Sequence, residues 1–151
     1  MIGQGNTVSA AEWDARFMRL ALEASHWSKD PDEQVGACLV SQDRRSITLG
    51  YNGLPWGMPD DPEILCNKDL KNILSIHAEL NAMANCVHNI VGWTMYVTKA
   101  PCVHCALMTR QHRIGRVVSA PVREDSRWAQ QQKQAMTLLQ NLGVEVSWLQ
   151  L

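Results

Sequence analysis

The chain has 151 residues, 46% apolar and 19% charged, with 14 lysines and arginines against 15 aspartates and glutamates for a formal charge of -1. That length suits one domain over residues 1–151 with a real core, and the balance argues against a disordered chain. Near-neutral charge offers no general basic field for a nucleic-acid backbone, although a local cationic cluster can still hold one phosphate.

Ser9 and Glu12 form a capping-box pattern, and Trp13, Phe17, Leu20, Ala21 and Ala24 follow on one face at helical spacing, so a first amphipathic helix is expected to pack on a sheet. Val35 to Val40 and Ser46 to Tyr51, joined by the polar turn Ser41 to Arg45, read as a β-hairpin. Three prolines (Pro55, Pro59, Pro62) and two glycines (Gly53, Gly57) between Asn52 and Asn67 predict a long loop, a candidate pocket wall or lid in which Trp56 either covers a ligand or simply packs. Helices are expected over Ile76 to Val87, Cys102 to His112 and Glu124 to Leu142, with strands over Thr94 to Thr98, Arg116 to Ser119 and Val144 to Leu149. An initial hairpin followed by alternating strands and helices implies an α/β fold, a three-layer α/β/α sandwich around a mixed five-stranded sheet.

Met1 to Ala10 lacks the cationic flank and apolar stretch of a secretory signal, and no segment is long and apolar enough to span a bilayer. A cytoplasmic site of action follows, the host cytoplasm if the source is a virus, with no membrane partner. The odd count of five cysteines and a Cys-x-x-Cys after Pro101 favour reduced thiols, two of them ligands. Cys38, inside the apolar run Val35 to Val40, reads as a buried core thiol.

His77-Ala78-Glu79 and, later, Pro101-Cys102-Val103-His104-Cys105 carry the chemistry. One imidazole (His77) and two thiolates (Cys102, Cys105), each near a helix N-terminus, neutralise Zn²⁺ and leave its fourth tetrahedral position for water. Zinc lowers the pKa of such a water toward neutrality. Glu79 diverges from His77 by roughly 200° on a straight helix, which makes joint ligation awkward and leaves its carboxylate to move protons. A purely structural zinc knot would need a fourth ligand, with Cys66, Cys86, His104 and His112 as candidates.

This H-x-E…P-C-x-x-C pairing is the general signature of zinc deaminases. Together with Gln34-Val35-Gly36-Ala37-Cys38, Gly50-Tyr51-Asn52-Gly53-Leu54-Pro55, His77-Ala78-Glu79-Leu80-Asn81-Ala82 and Met95-Tyr96-Val97-Thr98, it makes the chain resemble the deoxycytidylate deaminases of the zinc-dependent cytidine deaminase superfamily. The resemblance implies a cytidine deaminase-like fold and hydrolysis of dCMP to dUMP and ammonia, supplying dUMP for thymidylate synthesis. It implies zinc on His77, Cys102 and Cys105, with Glu79 as proton shuttle. Asn52 would hydrogen-bond the sugar, Gly53 would stand among the substrate contacts, and the Ala78 backbone would meet the pyrimidine; taken alone, Tyr51-Asn52-Gly53 reads equally well as a simple turn. It further implies a homo-oligomer, a hexamer, activated by dCTP and inhibited by dTTP with Mg²⁺. Charge logic asks for a cation at the monophosphate, with Lys29 as first candidate ahead of Arg110 and Arg113.

Competing readings are a tRNA adenosine deaminase, which Arg113-Ile114-Gly115-Arg116-Val117-Val118 also resembles, another cytosine nucleotide deaminase, and a non-catalytic zinc nucleotide sensor. The near-neutral charge disfavours nucleic acid. Glu79 disfavours the sensor, since a structural site has no use for a proton shuttle.

Overall fold

The computed structural model describes residues 7–151; residues 1–6 lie outside the described residues. Helix α1, Ala10–Ser25, starts as its sequence dictates: Ser9 Oγ accepts from the Glu12 N–H at 3.2 Å while the Glu12 carboxylate accepts from the Ser9 N–H at 2.7 Å. Strands β1, Gly36–Val40, and β2, Ile47–Tyr51, form the antiparallel hairpin. Next come α2 (Pro62–Cys66), α3 (Lys68–Leu74), α4 (Ala78–Asn85), β3 (Thr94–Val97), α5 (Val103–Gln111), β4 (Arg116–Ser119), α6 (Ala129–Asn141) and β5 (Glu145–Trp148). Among the described residues no helix is long and apolar enough to cross a membrane.

The five strands make one mixed sheet in the order β2-β1-β3-β4-β5. β1 runs antiparallel to both β2 and β3, whereas β3, β4 and β5 are parallel and connected through α5 and α6. Every residue of β1 is buried, as expected of an apolar strand inside the sheet and covered on both faces. Side-chain alternation divides the core. Ala37, Leu39, Met95, Val97 and Val117 pack under α4, α5 and α6, while Cys38, Val40, Tyr96 and Val118 meet Phe17, Met18 and Ala21 of α1. The result is the expected three-layer sandwich.

Two contacts bring helices unusually near the sheet. A Cβ on Gly36 would stand 1.8 Å from the Ala21 carbonyl oxygen, and one on Gly50 would stand 2.4 Å from both the Ala78 oxygen and the Ala82 nitrogen. Only glycine lets α1 and α4 backbones settle at that depth.

The segment between Asn52 and Asn67 departs from the single long loop read from its prolines. Asp61 accepts from the Glu63 N–H with Pro62 opening α2, and Asn67 accepts from the Leu70 N–H to start α3. Helix α4 begins later than expected, because Ile76 is held extended against Gly53. Helix α6 begins at Ala129 rather than Glu124, which frees residues 121–128 as irregular chain.

Candidate metal centre and substrate cavity

The end of β2 fixes the first half of the site. Gly53 N–H donates to the Ile76 carbonyl at 3.1 Å and Ile76 N–H donates back at 2.8 Å, so the residue before His77 is tied to the hairpin. His77 then caps α4 in extended conformation, and Glu79 falls in the first helical turn. The second half comes from the β3-to-α5 turn, where Cys102 is the N-cap and its Sγ accepts from the Cys105 N–H at 3.4 Å.

These two halves meet. His77 Nδ1 lies 3.5 Å from Cys102 Sγ and 3.3 Å from Cys105 Sγ. Zn–S bonds of about 2.3 Å and Zn–N bonds of about 2.0–2.1 Å at tetrahedral angles require N···S separations of about 3.6 Å, so the donor set fits zinc. Among the described residues no other histidine, cysteine or carboxylate joins this group, whose ligand atoms lie within 4.8 Å of one another. Cys66, Cys86, His104 and His112 therefore stand apart from it, and the set of three is that of an open rather than a closed site.

The three donors are electrostatically coupled, and among them Cys102 is the one held toward its deprotonated form. A hydrogen bond with the Cys105 thiol, reinforced by His77, holds the Cys102 thiol well below its ordinary range. The same bond, with burial, raises Cys105, and contact with Cys102 raises His77. Glu79 is 4% exposed, and burial holds its carboxyl above the usual carboxylate range.

A cavity of about 660 Å³ opens over this centre, lined by His77, Ala78, Glu79 and Cys102. Asp30, Asp32, Glu33 and Asn52 contribute from the hairpin side, Lys68, Lys71 and Asn72 from α3, Arg123 and residues 125–128 from the approach to α6, and Gln131 and Gln132 from α6 itself. Asn52 reaches the cavity but spends much of its amide on the fold: Oδ1 accepts from the Val35 N–H at 2.8 Å and Nδ2 donates to the Glu33 carbonyl at 2.9 Å. Oδ1 keeps a second lone pair.

Two expected contacts lie elsewhere. Lys29 is outside the cavity lining, its side chain 66% exposed and paired with Asp60, a residue that sequence inspection gave no reason to connect with it. Gly53 is likewise absent from the lining, its backbone engaged with Ile76, the residue before His77. Arg110 and Arg113 also lie outside the lining, and Trp56 is fully exposed.

Sequence reasoning missed Lys71. It is 4% exposed, with Nζ 2.7 Å from Asp30 Oδ1 and 2.6 Å from Asp32 Oδ2. Asp30 in turn accepts from the Asp32 and Glu33 N–H groups at 2.8 and 3.1 Å. A lysine in a short polar helix carries no local mark of burial; the nearest signal was Asp30 before Pro31, an acid at a turn with no partner in sequence.

Residues 11–120 match the cytidine and deoxycytidylate deaminase zinc-binding region. The chain is 34% identical over 143 residues to an uncharacterized deaminase from the luxG 3′ region of Aliivibrio fischeri, covering 93% of this chain and 96% of that one. It is 40% identical over 113 residues to human deoxycytidylate deaminase, covering 71% of this chain but only 64% of the human protein. Among solved structures, dCMP deaminase from the cyanophage S-TIM5 superposes with a TM-score of 0.72 at 28% identity, over 93% of this chain and all of that one. The same phage enzyme has also been solved in complex with dCMP and dUMP, again at TM-score 0.72. With its sheet, its three-donor centre and these similarities in agreement, the chain belongs to the zinc-binding cytidine and deoxycytidylate deaminase family.

Proposed function

We propose that this protein hydrolyses dCMP to dUMP and ammonia. The observation that carries the reading is a buried carboxyl, Glu79, lining the cavity beside a His-Cys-Cys donor set with no fourth protein ligand among the described residues. With zinc held by His77, Cys102 and Cys105, the metal supplies a water of lowered pKa at neutral pH. Glu79 accepts a proton at its carboxylate, passes it to the ring nitrogen beside the amino-bearing carbon, and later delivers one to the departing amino group. Its buried position suits both halves of that cycle, since a carboxyl with a raised pKa accepts and releases protons nearer neutrality. The Ala78 backbone borders the pyrimidine, and the spare Asn52 Oδ1 lone pair takes a sugar hydroxyl.

The monophosphate needs a different cation from Lys29. Of the cavity's cations, Lys71 is paired with Asp30 and Asp32, Lys99 with Glu33 and Arg123 with Asp125. Lys68 and Arg127 line the cavity without forming an ion pair among the described residues, and we assign them to the phosphate.

Ammonia release from dCMP, CMP, dCTP, deoxycytidine and an RNA hairpin tests the reading. dCMP is expected to turn over fastest; turnover of the hairpin with none of dCMP would reverse it. The finer parts of the proposal rest on family resemblance: a cytoplasmic homohexamer feeding thymidylate synthesis, activated by dCTP and inhibited by dTTP with Mg²⁺. Sizing in solution and the same assay with each effector check them.

A further inference from the structure

Asp30 is a carboxylate that the proposed chemistry leaves unused, although it is only 9% exposed and lines the cavity. Its Oδ1 accepts from the Asp32 N–H at 2.8 Å, the Glu33 N–H at 3.1 Å and Lys71 Nζ at 2.7 Å. Its Oδ2 accepts from Asn52 Nδ2 at 3.4 Å. The turn that Oδ1 closes also presents the Glu33 carbonyl, which accepts from the same Nδ2 at 2.9 Å. Asp30 therefore reaches the Asn52 amide by two routes, one direct and one through the turn.

Both routes end on the nitrogen of that amide, and neither a carboxylate nor a carbonyl oxygen can donate. This fixes Oδ1 as the end that accepts from the Val35 N–H at 2.8 Å, and it is the spare lone pair of this oxygen that the proposed function gives to the sugar. The reverse orientation would set Nδ2 against the Val35 N–H and Oδ1 against two acceptors, leaving buried polar groups unpaired. Lys71 reaches Asp30 from α3 and is 4% exposed. Replacing a buried ion pair by apolar residues is often neutral for stability, so what this pair contributes is a carboxylate kept ionised and in one place.

We infer that Asp30 is a positioning residue that sets the Asn52 amide for the sugar 3′-hydroxyl, with Lys71 holding the Asp30 carboxylate. The inference rests on the dCMP reading and on Asn52 as the sugar contact. Asp30 acts only through Asn52, which separates its role from those of Glu79 and of the cations at the phosphate. The 3′-hydroxyl is the one sugar hydroxyl of dCMP, so discrimination against a nucleotide that lacks it reports on the Asn52 amide.

Asp30→Asn tests this. An asparagine there keeps an oxygen for the two turn N–H groups and for Lys71, whose ammonium also retains Asp32 at 2.6 Å, but it turns its own N–H groups toward Asn52 Nδ2, donor against donor. kcat/KM is measured for dCMP and for 2′,3′-dideoxycytidine monophosphate in the zinc-loaded wild type and variant. Wild type should prefer dCMP by about tenfold, the effect of one hydrogen bond in a built site. In Asp30→Asn the preference should fall to within about twofold, through a raised KM for dCMP, while kcat and the use of the dideoxynucleotide change little. A preference that survives in the variant overturns the inference, and so does an equal loss for both nucleotides, the result of a merely structural role. If Asp30→Asn does not fold, Asp30→Glu is read in the same way: it keeps a charge for Lys71 but is one methylene too long to serve the turn and Asn52 together. A wild type that deaminates neither nucleotide sinks the dCMP reading itself, whereas one that turns over both equally sinks the Asn52 contact and the role of Asp30 and leaves that reading standing.

Discussion

Gly50→Ala places one methyl group between β2 and α4, and its consequences can be followed to the metal. The added Cβ would sit 2.4 Å from the Ala78 oxygen and from the Ala82 nitrogen, both backbone atoms that no rotamer change can move. Restoring ordinary contact of 3.4 Å demands that α4 retreat by about 1 Å. His77 and Glu79 travel with α4, while Cys102 and Cys105 stay with α5, so the N···S separations of 3.5 and 3.3 Å widen. Zinc tolerates only about 0.2 Å in its bond lengths, and a catalytic group displaced by 1 Å can cost about 10²-fold in rate. We expect kcat/KM for the deaminated nucleotide to fall by about 10²-fold, zinc to leave more readily to a chelator, and stability to drop by about 1–3 kcal/mol. Steady-state kinetics, chelator titration and thermal unfolding measure these. Gly53→Ala is the control, because a Cβ there meets nothing nearer than Tyr51 Cε2 at 4.0 Å, and it should stay close to wild type. A Gly50→Ala protein with native zinc affinity and turnover would refute the claim that α4's depth sets the site.

Glu79→Gln should lower turnover by about 10²–10⁴-fold while zinc content, measured by metal analysis, stays stoichiometric. Lys71→Ala strands Asp30, itself 9% exposed, and should cost about 3–5 kcal/mol in denaturant unfolding, where a surface pair would cost almost nothing. Lys29→Ala, by contrast, should leave the dCMP KM unchanged, since its ammonium pairs with Asp60 outside the cavity. Burial pushes the Cys38 thiol up to about 12, so at pH 8 roughly one molecule in ten thousand carries its thiolate; iodoacetamide followed by peptide mass spectrometry should find exposed Cys66 modified and Cys38 intact.

What could be read before the structure was whatever physics confines to neighbouring residues. The Ser9 and Glu12 cap, the β1–β2 hairpin and the His-x-Glu and Cys-x-x-Cys segments each depend on contacts within a few positions, and they stand where expected. Helix α2 was hidden because three prolines dominate the local pattern, and α3 because its seven residues are too few for a helical period to stand out, although Asp61 and Asn67 are ordinary caps. The cavity's charges were misjudged for a different reason. Lys29 and Asp60 are 31 residues apart and Lys71 and Asp30 are 41 apart, so which lysine is free and which is committed follows from tertiary packing alone. Gln132 was equally silent, an amide among several in a polar helix until Ala100 claimed one end of it.

The single rung between Gly53 and Ile76 has a mechanical meaning. On one side of it stands Asn52, on the other His77, so anything that immobilises one end stiffens the other. Under the proposed function, metal and nucleotide would each order one end of the same short strap, so the second to arrive would find part of that cost already met. Linkage makes the benefit mutual: by whatever factor bound metal tightens nucleotide, bound nucleotide tightens metal by the same factor.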